Sequence, residues 1–309
     1  MASPSSIFTE LVSTTFRNHK KDAIDNVSKH NALFRRIGEK GQVSIEDGGL
    51  TLTQPIEYAE NGTYQRYSGY DKLNIQASDV ITAAEFPWRQ IALNVVASGQ
   101  ELRINSGKAQ IIKLVKQRVK NAMRTFKNNF SADIYSNGSL PNQINGLQTL
   151  VSDTGANSVG GIDSTNWPFW KNKVQSAATP LQGGSSITTG ITTMESLMLP
   201  LWMALTRGDD VPDLIVSSDE YFSFYEQSLT DVKRYTSSQK AQGGFIELAY
   251  KSADVIFDGS SGIPAQHMYF LNTDYIDIAV HKDANLTELP DARPINQDAV
   301  VMPILWMGN

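Results

Sequence analysis

The 309-residue sequence contains no cysteine. That excludes disulfides, thiolate metal sites and any thiol nucleophile. It also lacks an apolar run near the roughly 18 residues that a membrane span needs. The opening Met-Ala-Ser-Pro-Ser-Ser has neither the charged nor the greasy region of a secretory signal. A soluble, unsecreted protein is expected, in which Asn61-Gly62-Thr63 carries no glycosylation meaning. No Gly-x-x-x-x-Gly-Lys-Ser/Thr or Gly-x-Gly-x-x-Gly phosphate loop occurs. The four histidines (His19, His30, His267, His281) stand far apart and read as surface or satisfied residues rather than ligands. Asp209, Asp210 and Asp213 lack the glycine turn and closing glutamate of a calcium loop and read as a solvated turn. No metal and no cofactor is expected.

One pattern keeps an enzyme in view. Ser237-Ser238-Gln239-Lys240 fits the Ser-x-x-Lys arrangement of serine acyl enzymes. The Lys-Thr-Gly and Ser-Asp-Asn elements that go with it are absent, and Gly243-Gly244 just beyond fits a loop. A soluble α+β serine acyl-transfer hydrolase using Ser237 and Lys240 is therefore the alternative reading.

What the sequence does have is a long amphipathic stretch from Ser106 to Tyr135. Ile111, Val115, Val119, Ala122, Met123, Phe126, Phe130 and Ile134 recur at steps of three and four, the period of one buried helix face. Ser106 is the natural N-cap, and Asn137-Gly138 tolerates the left-handed conformation that closes a helix. Roughly 30 residues at about 1.5 Å each give a rod of about 45 Å, long enough to serve as a spine. Lys113, Lys116, Lys120, Arg124 and Lys127 collect on a separate arc. The chain carries a net charge of −5, yet seven basic residues and no acidic one fall between Ser106 and Ala132. Such a face can meet phosphates, meet an acidic neighbour, or simply be solvated.

Taken in order, the chain predicts two short helices over 5–16 (Ile7, Phe8, Leu11, Val12, Phe16) and 22–34 (Ile24, Val27, Leu33, Phe34). Polar and basic residues surround them, so this part reads as an arm that needs something to lie on. Alternating runs over 51–77 and 81–97 predict a long two-stranded excursion with its tip between Ala77 and Thr82, although Asn61-Gly62 and Ser68-Gly69 also carry turn signals. Tyr58, Tyr64, Tyr67, Tyr70, Phe86 and Trp88 make it aromatic-rich. Such rings are expected to bury against the body or another subunit, with base stacking on nucleic acid as the competing reading. Later segments predict a helix over 193–206 kinked or split by Pro200, a buried strand at 213–217 leading into a helix, and strands at 254–257, 267–271 and 276–280. A last apolar run, 299–307, must be tied into a core. Mixed strands and helices without a regular repeat predict α+β.

Three segments carry a resemblance: Gly160-Gly161-Ile162-Asp163-Ser164-Thr165-Asn166-Trp167-Pro168-Phe169-Trp170, Pro212-Asp213-Leu214-Ile215-Val216-Ser217, and Tyr250-Lys251-Ser252-Ala253-Asp254-Val255-Ile256-Phe257-Asp258-Gly259. Together with the order of parts, they resemble the major capsid proteins of tailed bacteriophages, the Hong Kong 97-type fold, over nearly the whole chain. The resemblance implies an arm at 1–45, an extended loop at 46–97, a peripheral domain at 98–145 and 285–309, and an axial domain at 146–284. It implies a virion protein assembled in the host bacterial cytoplasm, self-associating as pentamers and hexamers into an icosahedral shell. The partners implied are a portal, scaffold or decoration proteins, and packaged double-stranded DNA held by non-specific contact, with no membrane. The basic arc would face DNA or a neighbouring subunit, and Tyr64, Tyr67, Tyr70, Phe86 and Trp88 would lie between subunits. An encapsulin-like shell with protein cargo is a variant. No lysine, asparagine and carboxylate match the isopeptide crosslink of some relatives, and no leading scaffold segment is expected.

Overall fold

The computed structural model describes residues 31–309 apart from 77, 105–107, 177–193, 230–246 and 259–261, with side chains of the long helix described from Gln117 onward. Its elements are α1 (Ala32–Glu39), β1 (Val43–Glu46), β2 (Thr51–Glu57), β3 (Ile81–Pro87), β4 (Arg89–Ser98), α2 (Gly99–Ile104), α3 (Lys108–Ile134) and α4 (Leu147–Leu150). The hairpin β5 (Ser158–Val159) and β6 (Ile162–Asp163) follows, then α5 (Met194–Leu205), β7 (Leu214–Ser217) and α6 (Asp219–Ser228). The chain closes with β8 (Glu247–Tyr250), β9 (Ala253–Phe257), β10 (Met268–Leu271), β11 (Ile278–His281), β12 (Thr287–Glu288) and β13 (Ala299–Gly308).

The predicted spine is α3, 27 residues long. Its stripe is buried as the period requires, through Val119, Met123, Phe126, Phe130 and Ile134, while the expected cap Ser106 lies outside the described residues. The stripe packs on a five-stranded sheet of order β1-β11-β13-β12, with β4 alongside β13. Ten residue pairs, from Ala299↔Ser98 to Gly308↔Arg89, zip the last strand to β4. That ladder ties down the apolar terminal run.

A second sheet, of order β10-β7-β9-β8, is buried on both faces. Leu214 and Val216 of β7 enter the core under α3, and Ile215 enters a second core with Met194, Met198 and Trp202 of α5 and Phe222 and Tyr225 of α6. All four residues of β7 are buried, the pattern of a strand covered on both sides. Tyr135, at the end of the spine, donates to Asp258 Oδ2 at 2.7 Å, and both are buried. Burial first, then the Asp258 charge, pushes the Tyr135 phenol well above its ordinary value. Of the two outcomes expected at Pro200, a kink or a split, the split does not occur: helix α5 continues through it. Pro200 lies inside it and can give no bond to the carbonyl four residues back, a loss that a helix absorbs by bending rather than ending.

The extended loop differs from expectation. β2 and β3 pair from Thr51↔Pro87 to Glu57↔Ile81, so the apex lies near Gly69 and not between Ala77 and Thr82. The alternation at Leu73 and Ile75 is not strand, and residues 89–98 belong to the body sheet rather than to the ribbon. Alternation reports a pleated surface with one face covered but does not say which partner covers it. The ribbon is held at its base by the Gly160 turn, whose carbonyl accepts Glu85 N–H at 2.9 Å. Gly160 has φ +58, and a Cβ there would lie 2.6 Å from Ala84 Cβ.

The helix expected over 22–34 is described only from Ala32 and continues to Glu39; residues 22–30 and the helix expected over 5–16 lie outside the described residues. Asn31 accepts Phe34 N–H at the start. Its basic residues are paired, Arg35 with Glu39 at 2.7 Å and Arg36 with Asp213 at 3.2 Å and Asp254 at 3.4 Å. Asp213 is thus not part of a solvated turn. It takes Thr273 N–H and Oγ1–H, each at 2.7 Å, and Lys40 at 3.0 Å, docking α1 onto the end of the second sheet where β7 and β9 begin.

Burial opposes the Asp213 charge, but the Thr273, Lys40 and Arg36 bonds outweigh it and hold the carboxyl below its ordinary value. A depressed folded pKa stabilises above the unfolded value of about 3.9, and the gain is lost as pH falls through the lower folded value. Asp213→Asn should cost about 2 kcal/mol at pH 7 in urea denaturation, and the difference from wild type should shrink below about pH 4. Gly160→Ala should speed hydrogen exchange at the Glu85 amide and cost about 2 kcal/mol through strain at a left-handed position.

Candidate assembly surfaces

The five aromatic residues expected between subunits divide into two groups. Phe86 and Trp88 belong to the base of the ribbon. Phe86 is half-buried, and its ring lies beside the Gly160 turn. Trp88 donates Nε1–H to Gly49 O at 3.0 Å and meets the His281 ring at 5.5 Å. Tyr58, where β2 ends, packs on Trp167 and Phe169 with ring centroids 5.8 and 5.6 Å away. These rings seat the ribbon on its own subunit.

Tyr64, Tyr67 and Tyr70 lie beyond the ladder, in the apical stretch, and are uncovered: 81% and 65% exposed for the first two, and Tyr70 fully so. Leu73 and Ile75 are exposed beside them in sequence. The stretch has no strand ladder and is shaped by side-chain bonds to backbone. Gln65 donates to Lys72 O at 3.0 Å and accepts from Asn74 N–H at 3.0 Å, Asp71 accepts Ser68 N–H at 2.8 Å, and Asn61 accepts Thr63 N–H at 3.0 Å. Side chains of Asn, Asp and Gln can fold a turn without a hydrophobic core. The result is a shaped loop that presents aromatic surface outward.

The second surface is the basic arc of α3. Lys120 and Arg124 are exposed and Lys127 is half-buried. Among the described residues none of the three forms an ion pair. Burial first, then the adjacent Arg124 charge, pushes the Lys127 ammonium below its ordinary value. The side chains of Lys113 and Lys116 lie outside the described residues. Arg118, on another side of the helix, is satisfied internally by Glu101 at 2.5 Å and by Val96 O. Among the described residues, Arg118 is thus matched within the body, whereas Lys120, Arg124 and Lys127 are not paired with a carboxylate.

Ser237 and Lys240 also lie outside the described residues. His267 is paired with Asp153 at 2.9 Å, and His281 Nδ1 accepts Asp283 N–H at 3.1 Å. No described cluster of His, Asp and Glu could hold a metal ion, and no described helix is long and apolar enough to cross a membrane. The Asp213 network went unseen in the sequence, where Arg36 and Lys40, one helical turn apart, were its only visible trace.

No protein-family model matches the chain, and no curated protein matches it in sequence. Solved structures do match in fold. A chain titled as the cyanophage A-1(L) capsid asymmetric unit aligns over 86% of this chain and 85% of its own, with TM-score 0.55 and 15% identity. The capsid of a native GTA particle aligns over 87% and 84%, with TM-score 0.52 and 12% identity. The capsid of an empty GTA particle aligns over 87% and 83%, with TM-score 0.51 and 11% identity. With the arm helix, the ribbon, the long spine and the last strand zipped beside it, this chain has the α+β fold of phage major capsid proteins.

Proposed function

We propose that the chain is the structural subunit of a virion capsid, self-assembling as pentamers and hexamers into an icosahedral shell around double-stranded DNA. The observation that carries this reading is the apical stretch of the ribbon. Its fold is fixed by its own polar bonds, yet Tyr64, Tyr67 and Tyr70 bury against none of the described residues. Aromatic surface held in shape and left uncovered is the usual mark of an interface. A closed shell needs many heterologous contacts, and a projecting ribbon reaches across a neighbour while its base stays fixed at Gly160 and Trp88.

The basic arc of α3, unpaired at its described members, adds the second half of the proposal. Lys120, Arg124 and Lys127, continued in sequence by Lys113 and Lys116, are an electrostatic surface for a phosphate backbone and need no base-specific contact. Assembly in a bacterial cytoplasm, with a portal and separate scaffold or decoration proteins, belongs to the same reading. It assigns no catalytic role to any residue. Shells that purify with protein cargo and no nucleic acid would make the protein encapsulin-like instead, and acylation of Ser237 by a covalent probe would restore the hydrolase.

Replacing Tyr64, Tyr67 and Tyr70 together by serine should leave the subunit's melting temperature unchanged and lower the assembled fraction in sedimentation by about tenfold or more, since interfaces concentrate their energy in buried aromatics. Unchanged assembly would show that the ribbon apex is not an interface. Glutamine at Lys113, Lys116, Lys120, Arg124 and Lys127 should leave shells intact and lower their DNA content, most clearly at raised salt. Loss of shells would assign the arc to contact between subunits.

A further inference from the structure

The turn after α3 is one of three places where the chain reads Asn-Gly: Asn61-Gly62, Asn137-Gly138 and Asn145-Gly146. In such a pair the glycine amide nitrogen can attack the asparagine side-chain carbonyl carbon, because no Cβ hinders its approach. The fold decides whether it does. The side chain must lie back over the next amide, that amide must be free to give up its proton, and the backbone must have room to turn.

Asn137 meets all of these conditions. Its Oδ1 accepts Ser139 N–H at 3.1 Å, a turn that bends the side chain across the Gly138 amide. The same donor sits where negative charge develops on Oδ1 as the carbonyl carbon becomes tetrahedral. Among the described residues no acceptor takes Gly138 N–H. Asn137, Gly138 and Ser139 are all exposed, just past the last turn of the helix, so the backbone there is open to move.

The other two pairs each fail one condition. Asn61 makes the same turn, its Oδ1 accepting Thr63 N–H at 3.0 Å, but Gly62 N–H is held by Ser78 Oγ at 3.3 Å and Gly62 O accepts from Asn74 at 3.4 Å. Its attacking amide is engaged. Asn145 is half-buried and Gly146 buried, and a Cβ on Gly146 would fall on Ser136 N and Asp133 O. That backbone has no room to turn.

We propose that Asn137 is a self-modification site, converted to aspartate and isoaspartate by its own backbone. Gly138 N gives its proton to water, its lone pair forms a bond to Asn137 Cγ, and the Cγ–Nδ2 bond breaks with release of ammonia, leaving a cyclic imide. Water then opens the imide. Attack at Cγ gives aspartate, and attack at the backbone carbonyl gives an isoaspartyl link with an extra methylene in the main chain. Nothing is oxidised or reduced, and water is the only co-reactant. Either product adds a negative charge to a chain already at −5. The charge falls just past the C-terminal end of the spine, where the helix's own partial charge is negative, so the change is one-way and unfavourable to the helix end.

The test needs no variant. Full-length protein is aged at mildly alkaline pH in heavy-oxygen water, once folded and once in guanidinium chloride, then digested and read residue by residue with fragmentation mass spectrometry. In the folded protein Asn137 should deamidate at least about fivefold faster than Asn61 or Asn145, with heavy oxygen in the new carboxyl group. In guanidinium chloride, where only the shared Asn-Gly sequence remains, the three rates should converge. A folded-state rate at Asn137 no greater than at either other site would overturn the assignment. A lead at Asn137 that persists undiminished in denaturant would overturn it too, since the fold would then have no part in it. Neither readout requires a shell to form, so they stand or fall apart from the capsid reading.

Discussion

Three distant parts of the chain meet on Phe130. Its ring stacks on Phe126 at 5.2 Å, takes the edge of Phe34 from α1 at 5.7 Å, and meets Trp306 of the last strand edge-on at 5.2 Å. Pairs of this geometry add about 1 kcal/mol each beyond the area they bury. The arm helix, the spine and the C-terminal strand therefore share one contact. The ten-pair ladder between β13 and β4 extends that contact along the body, and the ribbon leaves directly from the start of β4 at Trp88.

The molecule divides sharply into what is satisfied internally and what is not. Within the body, charges find partners: Arg36 and Lys40 on Asp213, Arg118 on Glu101, and buried Asp258 on Tyr135. Outside it, the apical tyrosines and Lys120, Arg124 and Lys127 of α3 have none among the described residues. A lone soluble protein of this size has no need to keep an aromatic loop in shape by polar bonds while leaving the rings in water. That pattern underlies the proposal of a subunit whose remaining contacts form on assembly.

The sequence made the spine legible because its stripe repeats over many turns, and β7 legible because a short apolar run between turns suits a strand buried on both sides. The ribbon was legible as a two-stranded excursion but not in register. The alternation of Ile91, Leu93, Val95 and Ala97 belongs to β4, and only the partner strand, some two hundred residues away, reveals it. Asp213 was misread for the same reason, since its cations come from α1. Among the surface residues, Lys120 and Arg124 were visible as an arc, yet nothing local could show that Phe86 and Trp88 are used within the subunit while Tyr64, Tyr67 and Tyr70 are left over. Periodicity reports which side of an element is covered, and only tertiary structure reports by what.

The central claim is that this subunit closes into shells, and electron microscopy of the purified protein, with light scattering across a concentration series, tests it most directly. The account predicts closed icosahedral particles, or pentamers and hexamers that convert to them. A strictly monomeric or dimeric species at every concentration would contradict it.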